Sequence, residues 1–275
     1  MSENTIGIDL GGTKMMLYCQ GIHERIETGS TFTPNDFFRH LGTFVASNRL
    51  SPKRIGIAVP GLVDAEGAVL GSDVLPLFSG WKPKLDMAAL NVKWCVLNDV
   101  QAALLEEMRD APLGLTGGVV MVGTAIGAGL LVDGKPLLGA SGWAGELGYF
   151  PVMVGDRVER LDNLAGGHAI AALCAVSPGL MAEQANNGDL ATLQAIASGG
   201  RALGLGLAAL INLLNPSRLA LGGGTVELPG YWEQALRSAG EHSIPELWRD
   251  CRISKVRAGA FVVAKGAIRS VLQAD

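Results

Sequence analysis

Cysteine is scarce in this chain: Cys19, Cys95, Cys174 and Cys251 are the only four in 275 residues, and no two form a C-x-x-C pair. That spacing excludes a zinc ribbon and a disulfide framework, and leaves reduced core thiols. Charge is scarce as well, at 17% of residues with a net of -4, and the 22 basic residues form no run. A nucleic-acid footprint and a membrane-binding basic face are therefore not expected, which leaves small molecules as partners. The most apolar stretch, Leu203 to Leu214, is too short to span a bilayer and contains Gly204 and Gly206, so it reads as a buried helix. Low-complexity segments and long linkers are missing. The opening Met1 to Thr5 has no basic region before the first strand, so a signal peptide is not expected and the cytoplasm is.

What is abundant is apolar residues, at 48%, and glycine, with 38 residues. The first is enough for two lobes. The glycines cluster at Gly11-Gly12, Gly117 to Gly129, Gly139 to Gly148 and Gly222 to Gly224, which predicts several loops where backbone approaches a ligand. Ile6 to Lys14 reads as a buried strand, a Gly11-Gly12 turn and a returning strand, with Asp9 at the strand's end and Thr13 in the turn. Glycine amides and a hydroxyl suit phosphate, and an acid beside them suits Mg2+. A purely structural hairpin is the alternative for this stretch alone.

Further along, Thr33-Pro34 reads as an N-cap followed by proline in the first turn, with Phe37, Leu41 and Phe44 at helical spacing. A buried strand over Arg54 to Val59 ends in Pro60-Gly61, and Lys84 to Leu90 fits a short helix. Another strand, Val92 to Leu97, ends at Asn98-Asp99. Asp99 occupies a strand end and the N-cap position of the helix that follows. It serves either as a cap, contributing about 1 kcal/mol, or as a catalytic carboxylate at the carboxyl edge of a sheet. The second half restarts the pattern: strand Gly118 to Val122, a turn Gly123-Thr124-Ala125-Ile126-Gly127, and a returning strand to Val132. Asp133-Gly134 predicts a type I′ turn. A helix over Leu190 to Leu214, kinked at Gly199-Gly200, is stopped by Asn215-Pro216, and Gly222 to Gly224 closes a short strand.

Asp9-Leu-Gly-Gly-Thr-Lys14, Pro60-Gly-Leu-Val-Asp64, Asn98-Asp99, Gly123-Thr-Ala-Ile-Gly127, Ala144-Gly-Glu-Leu-Gly148 and Leu221-Gly-Gly-Gly224 stand in the order and spacing of the ROK family, which the chain resembles over nearly its whole length. That family holds bacterial sugar kinases and sugar-responsive repressors. The resemblance implies an α/β, two-lobed, actin/hexokinase-like (ribonuclease H-like) duplicated fold with an interlobe cleft. The expected lobes are residues 1–113, with a helix at about 262–275 packing back on them, and residues 114–261. It further implies that Asp99 is the general base and that Asp9 organises Mg2+. Gly11, Gly12, Thr13, Lys14, Gly123 and Thr124 would hold the phosphates of ATP, and Gly223 and Gly224 would face the nucleoside. Gly61, Asn98 and Glu146 would hold the sugar. A homodimer is also implied.

The acceptor side departs from the family pattern. The family's His after Ala-Gly-Glu-x-Gly, a zinc ligand, is replaced by Tyr149, and Phe150 to Arg160 contains no cysteine, so a zinc site is not expected. Asp162 stands where a sugar-binding Glu is usual, and Asp73 where an Asn is. The expectation is ATP-dependent phosphorylation of a hexose, amino sugar or N-acetylated sugar. One alternative is a catalytically silent sugar or nucleotide sensor of the same fold, and another is an ATPase without an acceptor. Direct DNA binding is not expected, because Asp9 leaves no room ahead of it for the module that the family's repressors carry.

Overall fold

In the computed structural model, which describes residues 4–88 and 90–274, contacts divide the chain into two compact units. The first runs to Arg109 and resumes at Phe261; the second is Asp110–Ala260. Unit 1 opens with an antiparallel meander, β1 (Thr5–Leu10), β2 (Lys14–Cys19) and β3 (Ile22–Glu27). Helix α1 (Pro34–Ser47) begins at the expected cap: Thr33 accepts from the Asp36 amide at 3.1 Å, and the Asp36 carboxylate accepts from the Thr33 amide. Strand β4 (Arg54–Val59) leads into a small ribbon, β5 (Leu62–Val63) and β6 (Val69–Gly71). After α2 (Pro83–Ala88) come β7 (Lys93–Asn98) and α3 (Asp99–Glu107). Ala89, inside the expected Lys84 to Leu90 helix, lies outside the described residues. The sheet order is β3-β2-β1-β4-β7, with β4 and β7 parallel to β1. Ile6, Ile8 and Leu10 on one face of β1 join Phe37, Leu41 and Phe44 of α1 in the unit's core.

Unit 2 repeats the plan. Its sheet runs β10-β9-β8-β13-β14, from β8 (Gly117–Val122), β9 (Ile126–Val132), β10 (Lys135–Pro136), β13 (Arg218–Gly222) and β14 (Arg252–Lys255). As in unit 1, an antiparallel hairpin is continued by two parallel strands. Asp133 and Gly134 both have positive φ, as the type I′ turn requires. Between β10 and β13 lie the β11 (Pro151–Val154) and β12 (Arg157–Arg160) hairpin, α4 (Asp162–Ala165), α5 (Gly167–Leu173), α6 (Pro178–Asn186) and α7 (Leu190–Leu214). Helix α8 (Tyr231–His242) and α9 (Pro245–Asp250) precede β14.

The expected break at Gly199-Gly200 is absent, and α7 runs through it. A side chain at Gly200 or Gly204 would meet α8, so these glycines serve close helix packing rather than a kink. Taken whole, α7 is long and apolar enough to cross a membrane, unlike Leu203 to Leu214 alone, but Ile196, Leu203, Leu207 and Ile211 are spent on the core of unit 2.

The last helix, α10 (Val262–Gln273), packs on β1, β4 and α3 of unit 1. It approaches so closely that a Cβ at Gly7 would strike the Ala264 carbonyl, one at Gly56 the Ala267 carbonyl, and one at Gly266 the Ala102 carbonyl of α3. The buried Glu106 of α3 adds an ion pair, accepting from Arg269 at 3.0 Å and from Arg109 at 2.6 Å. Gly56→Ala is expected to destabilise the protein by about 2–4 kcal/mol through overpacking. Gly42→Ala at an exposed position of α1, where nothing lies within 4 Å of the new Cβ, is expected to stabilise it by about 0.5–1 kcal/mol. Urea unfolding of both variants checks this, and equal midpoints would show that α10 yields without cost.

Candidate active site

The parallel strands of unit 1 all finish at one edge. Asp9 pairs with Ala58, Ala58 with Leu97, and Val59 with Asn98. With about 4.8 Å between strands, Asp9 and the Asn98-Asp99 pair stand roughly 10 Å apart across β4. Asp9 is half-buried, and desolvation raises its carboxyl to about 6 against the opposing pull of Lys14. A carboxylate oxygen is the kind of ligand a hard divalent cation takes, and Asp9 is the acid of this strand end that fits one. In the turn after it, the Gly11 amide donates to the Lys14 carbonyl at 2.9 Å. Thr28, just past β3, donates its hydroxyl to the Gly11 carbonyl at 2.7 Å and its amide to the Thr13 carbonyl at 3.2 Å. Thr28 belongs to no motif, and nothing in the sequence marks it.

The N-cap of α3 is Asn98, which corrects the expectation for Asp99. The Asn98 carbonyl oxygen accepts from the amides of Val100 (2.9 Å) and Gln101 (3.1 Å), and Asp99 is the first helical residue, its carboxylate accepting from Val100 at 2.9 Å. Two consecutive polar residues before an apolar run leave the cap ambiguous by one position, and the strand's length decides it. Asn98 also donates its side-chain amide to the Gly61 carbonyl at 2.9 Å. Gly61 is held at φ 112, where a Cβ would strike the Gly71 carbonyl. The exits of β4 and β7 are thereby locked together. Asp73 is exposed, and its neighbour Val74 lies against Gly12.

Unit 2 gathers the remaining candidates. Gly123 and Thr124 form the β8–β9 turn. The Gly123 carbonyl accepts from the Thr225 hydroxyl at 3.0 Å and the Gly167 amide at 2.8 Å; the Thr124 carbonyl accepts from the His168 amide at 3.4 Å. Gly223 follows β13 at φ 97, packed against Val122, and Gly224 begins the short 3-10 turn that contains Thr225. Asp162 opens α4 and accepts from the Ile126 amide at 2.7 Å, while its carboxyl lies flat against Gly148. Burial raises its pKa, offset in part by that amide and by Arg160. Glu146 is exposed at the head of a 3-10 turn, and its carbonyl accepts from the Tyr149 amide at 3.1 Å. The Arg160 guanidinium lies 4.2 Å from the centre of the Tyr149 ring. Among the described residues, no three His, Cys, Asp or Glu side chains converge on a metal position.

Two α/β units that repeat one five-stranded mixed scheme, each with a glycine turn at its hairpin, define a duplicated actin/hexokinase-like fold. The ROK family pattern matches residues 5–273, and the chain belongs to the ROK family. The bifunctional enzyme NanE/NanK of Brucella melitensis is 27% identical over 262 residues, covering 88% of this chain and 49% of that one. The N-acetylmannosamine kinase of Salmonella paratyphi B is 29% identical over 189 residues, covering 61% and 63%. The chain thus spans from about half to less than two thirds of the length of these curated relatives. A ROK family glucokinase from Streptomyces griseus, in complex with glucose and AMPPNP, shares the fold at a TM-score of 0.80 and 23% identity, over 98% of this chain and 99% of that one.

The raised carboxyl of Asp9 gives a pH signature. Its folded value of about 6 exceeds the unfolded 3.8, so the folded state holds the proton more tightly and stability falls as pH rises through roughly 4 to 6. The loss is at most about 3 kcal/mol and is complete above that window. Asp9→Asn is expected to flatten the decline. Thermal unfolding between pH 4 and 8 would reveal it, and parallel profiles for the two proteins would refute it.

Proposed function

We propose that the protein is an ATP-dependent sugar kinase acting on a hexose, amino sugar or N-acetylated sugar. The observation that carries this reading is the Asp99 carboxylate, anchored at the first turn of α3 beside the Asn98–Gly61 lock, at the same sheet edge as Asp9 and its glycine turn. Phosphoryl transfer asks more for alignment and charge neutralisation than for a strong base, and a carboxylate fixed at a helix start supplies alignment. In this reading Asp99 takes the proton from the acceptor hydroxyl. Gly61, Asp73 and Asn98 of unit 1 and Glu146, Tyr149 and Asp162 of unit 2 orient the acceptor. Gly11, Gly12, Thr13, Gly123 and Thr124 present amides and hydroxyls to the donor phosphates, with Lys14 adding charge. Gly223 and Gly224 lie against the nucleoside. Asp9 holds Mg2+, directly or through water, and the ion's chemistry is to neutralise phosphate charge. The amino-sugar and glucose kinases among the relatives support the acceptor class. Family likeness extends the proposal to a cytoplasmic homodimer.

The competing reading, a sensor without turnover, is favoured by the changed acceptor side, where Tyr149 is stacked under Arg160 and Asp162 is engaged with Ile126. A coupled ADP-release screen over hexoses, amino sugars and N-acetylated sugars separates the two. Sugar-dependent release is expected, with Asp99→Asn lowering kcat by about 100-fold or more while sugar binding persists. Sugar binding without release would favour the sensor, and release indifferent to sugar would indicate an ATPase.

A further inference from the structure

In a trans peptide the carbonyl and the next residue's amide point to opposite sides of the chain, so holding one fixes the direction of the other. Glycine turns lack the side chains that would otherwise restrict this rotation. Both glycine turns here are held in the same way, by a threonine hydroxyl that donates to the carbonyl of the turn's leading glycine. Thr28 reaches the Gly11 carbonyl at 2.7 Å, and Thr225 reaches the Gly123 carbonyl at 3.0 Å. The two threonines come from unrelated places, one after the third strand of unit 1 and one on the 3-10 turn behind β13. Backbone bonds assist both, the Thr28 amide to the Thr13 carbonyl at the first turn, and the Gly167 and His168 amides to the Gly123 and Thr124 carbonyls at the second. By peptide planarity, Gly12 N–H points away from Thr28, and Thr124 N–H away from Thr225.

We propose that Thr28 and Thr225 are a duplicated pair of positioning residues that aim the Gly12 and Thr124 amides at the donor phosphates. The inference rests on the kinase reading for the identity of the ligand. Neither hydroxyl touches the phosphates; each acts through the peptide plane in front of it. Valine keeps the shape of threonine and removes the donor, leaving a carbonyl unheld, whereas serine keeps the donor.

The test compares Thr28→Val, Thr28→Ser, Thr225→Val and Thr225→Ser in the full chain. Calorimetry reads AMPPNP affinity, and steady-state rates with the fastest acceptor sugar read its KM. Each valine variant is expected to weaken AMPPNP binding about tenfold or more and to leave acceptor KM within about threefold. Each serine variant is expected to restore AMPPNP affinity to within about threefold of native. Native affinity in the valine variants would overturn the proposal, as would parallel losses of nucleotide and acceptor affinity accompanied by a lower melting midpoint. Thr225 is buried, and should its valine variant not fold, the half-buried Thr28 decides alone. Failure of the kinase reading looks different: the native protein itself would bind no AMPPNP, which would overturn both.

Discussion

A turn made of glycine has amides to offer and no means of aiming them, so something outside the turn has to hold its peptide planes. In this chain the holding is done from behind. At Gly11 a hydroxyl and a strand-end amide of one residue grip two carbonyls of the same turn. At Gly123 and Thr124 the grip comes from Thr225 and from the amides of Gly167 and His168 at the start of α5. The carbonyls, on half-buried and exposed residues, are satisfied by protein, and the amides opposite them face the other way. The two halves of the chain therefore share more than a strand order. They share a solution to the same local problem, reached with different residues.

That solution needs a rigid platform, and in unit 1 the platform is completed by the far end of the chain. Helix α10 lies directly on backbone at Gly7 and Gly56 and against α3 at Gly266. Gly7 sits two residues before Asp9, and Gly56 pairs with it across the ladder. A side chain at either position would lift the helix off the strands that carry Asp9 and, one strand further, Asn98. The Glu106–Arg269 pair is oriented by this contact rather than the cause of it. A buried ion pair recovers its desolvation cost only when the geometry is already good, and the close glycine packing supplies that geometry.

Much of this was legible in the sequence for identifiable reasons. Strands that end in glycine turns, the Thr33-Pro34 cap and the Asp133-Gly134 turn are local signals, and each appears where local chemistry puts it. The Asn98-Asp99 pair was legible as a polar break between strand and helix but not to the residue, because either side chain is able to cap. Helix α7 misleads in the opposite direction. Gly199-Gly200 carries a local helix penalty, which close packing against α8 outweighs. The β11–β12 hairpin, α9 and β14 are short and carry weak periodicity, so tertiary contact defines them. Thr28 was illegible altogether, since its role depends on lying across the ladder from Thr13, and no spacing rule expresses that.

At Asp162 the length of one methylene decides what the carboxyl reaches. Asp162 stands where the family's pattern has a longer acid, and here its carboxyl is drawn inward, bonded to the Ile126 amide and laid on Gly148. Those two contacts join the turn that carries Gly123 and Thr124 to the segment that carries Glu146 and Tyr149. In the proposed kinase, donor and acceptor elements of unit 2 are then mechanically linked through a single carboxylate. The same inward turn shifts the outward chemistry toward the guanidinium of Arg160, stacked on Tyr149. A planar cation with several fixed donors reads carbonyl and hydroxyl oxygens differently from a carboxylate, which only accepts. If the proposed roles hold, the glycine turns would keep one geometry because amides that hold phosphate are indifferent to which sugar arrives, and the proposed acceptor residues would be free to vary for the same reason. In the proposed kinase the substitutions at Tyr149, Asp162 and Asp73 would concern the choice of acceptor, and the transfer chemistry would rest on Asp99 and the two held turns.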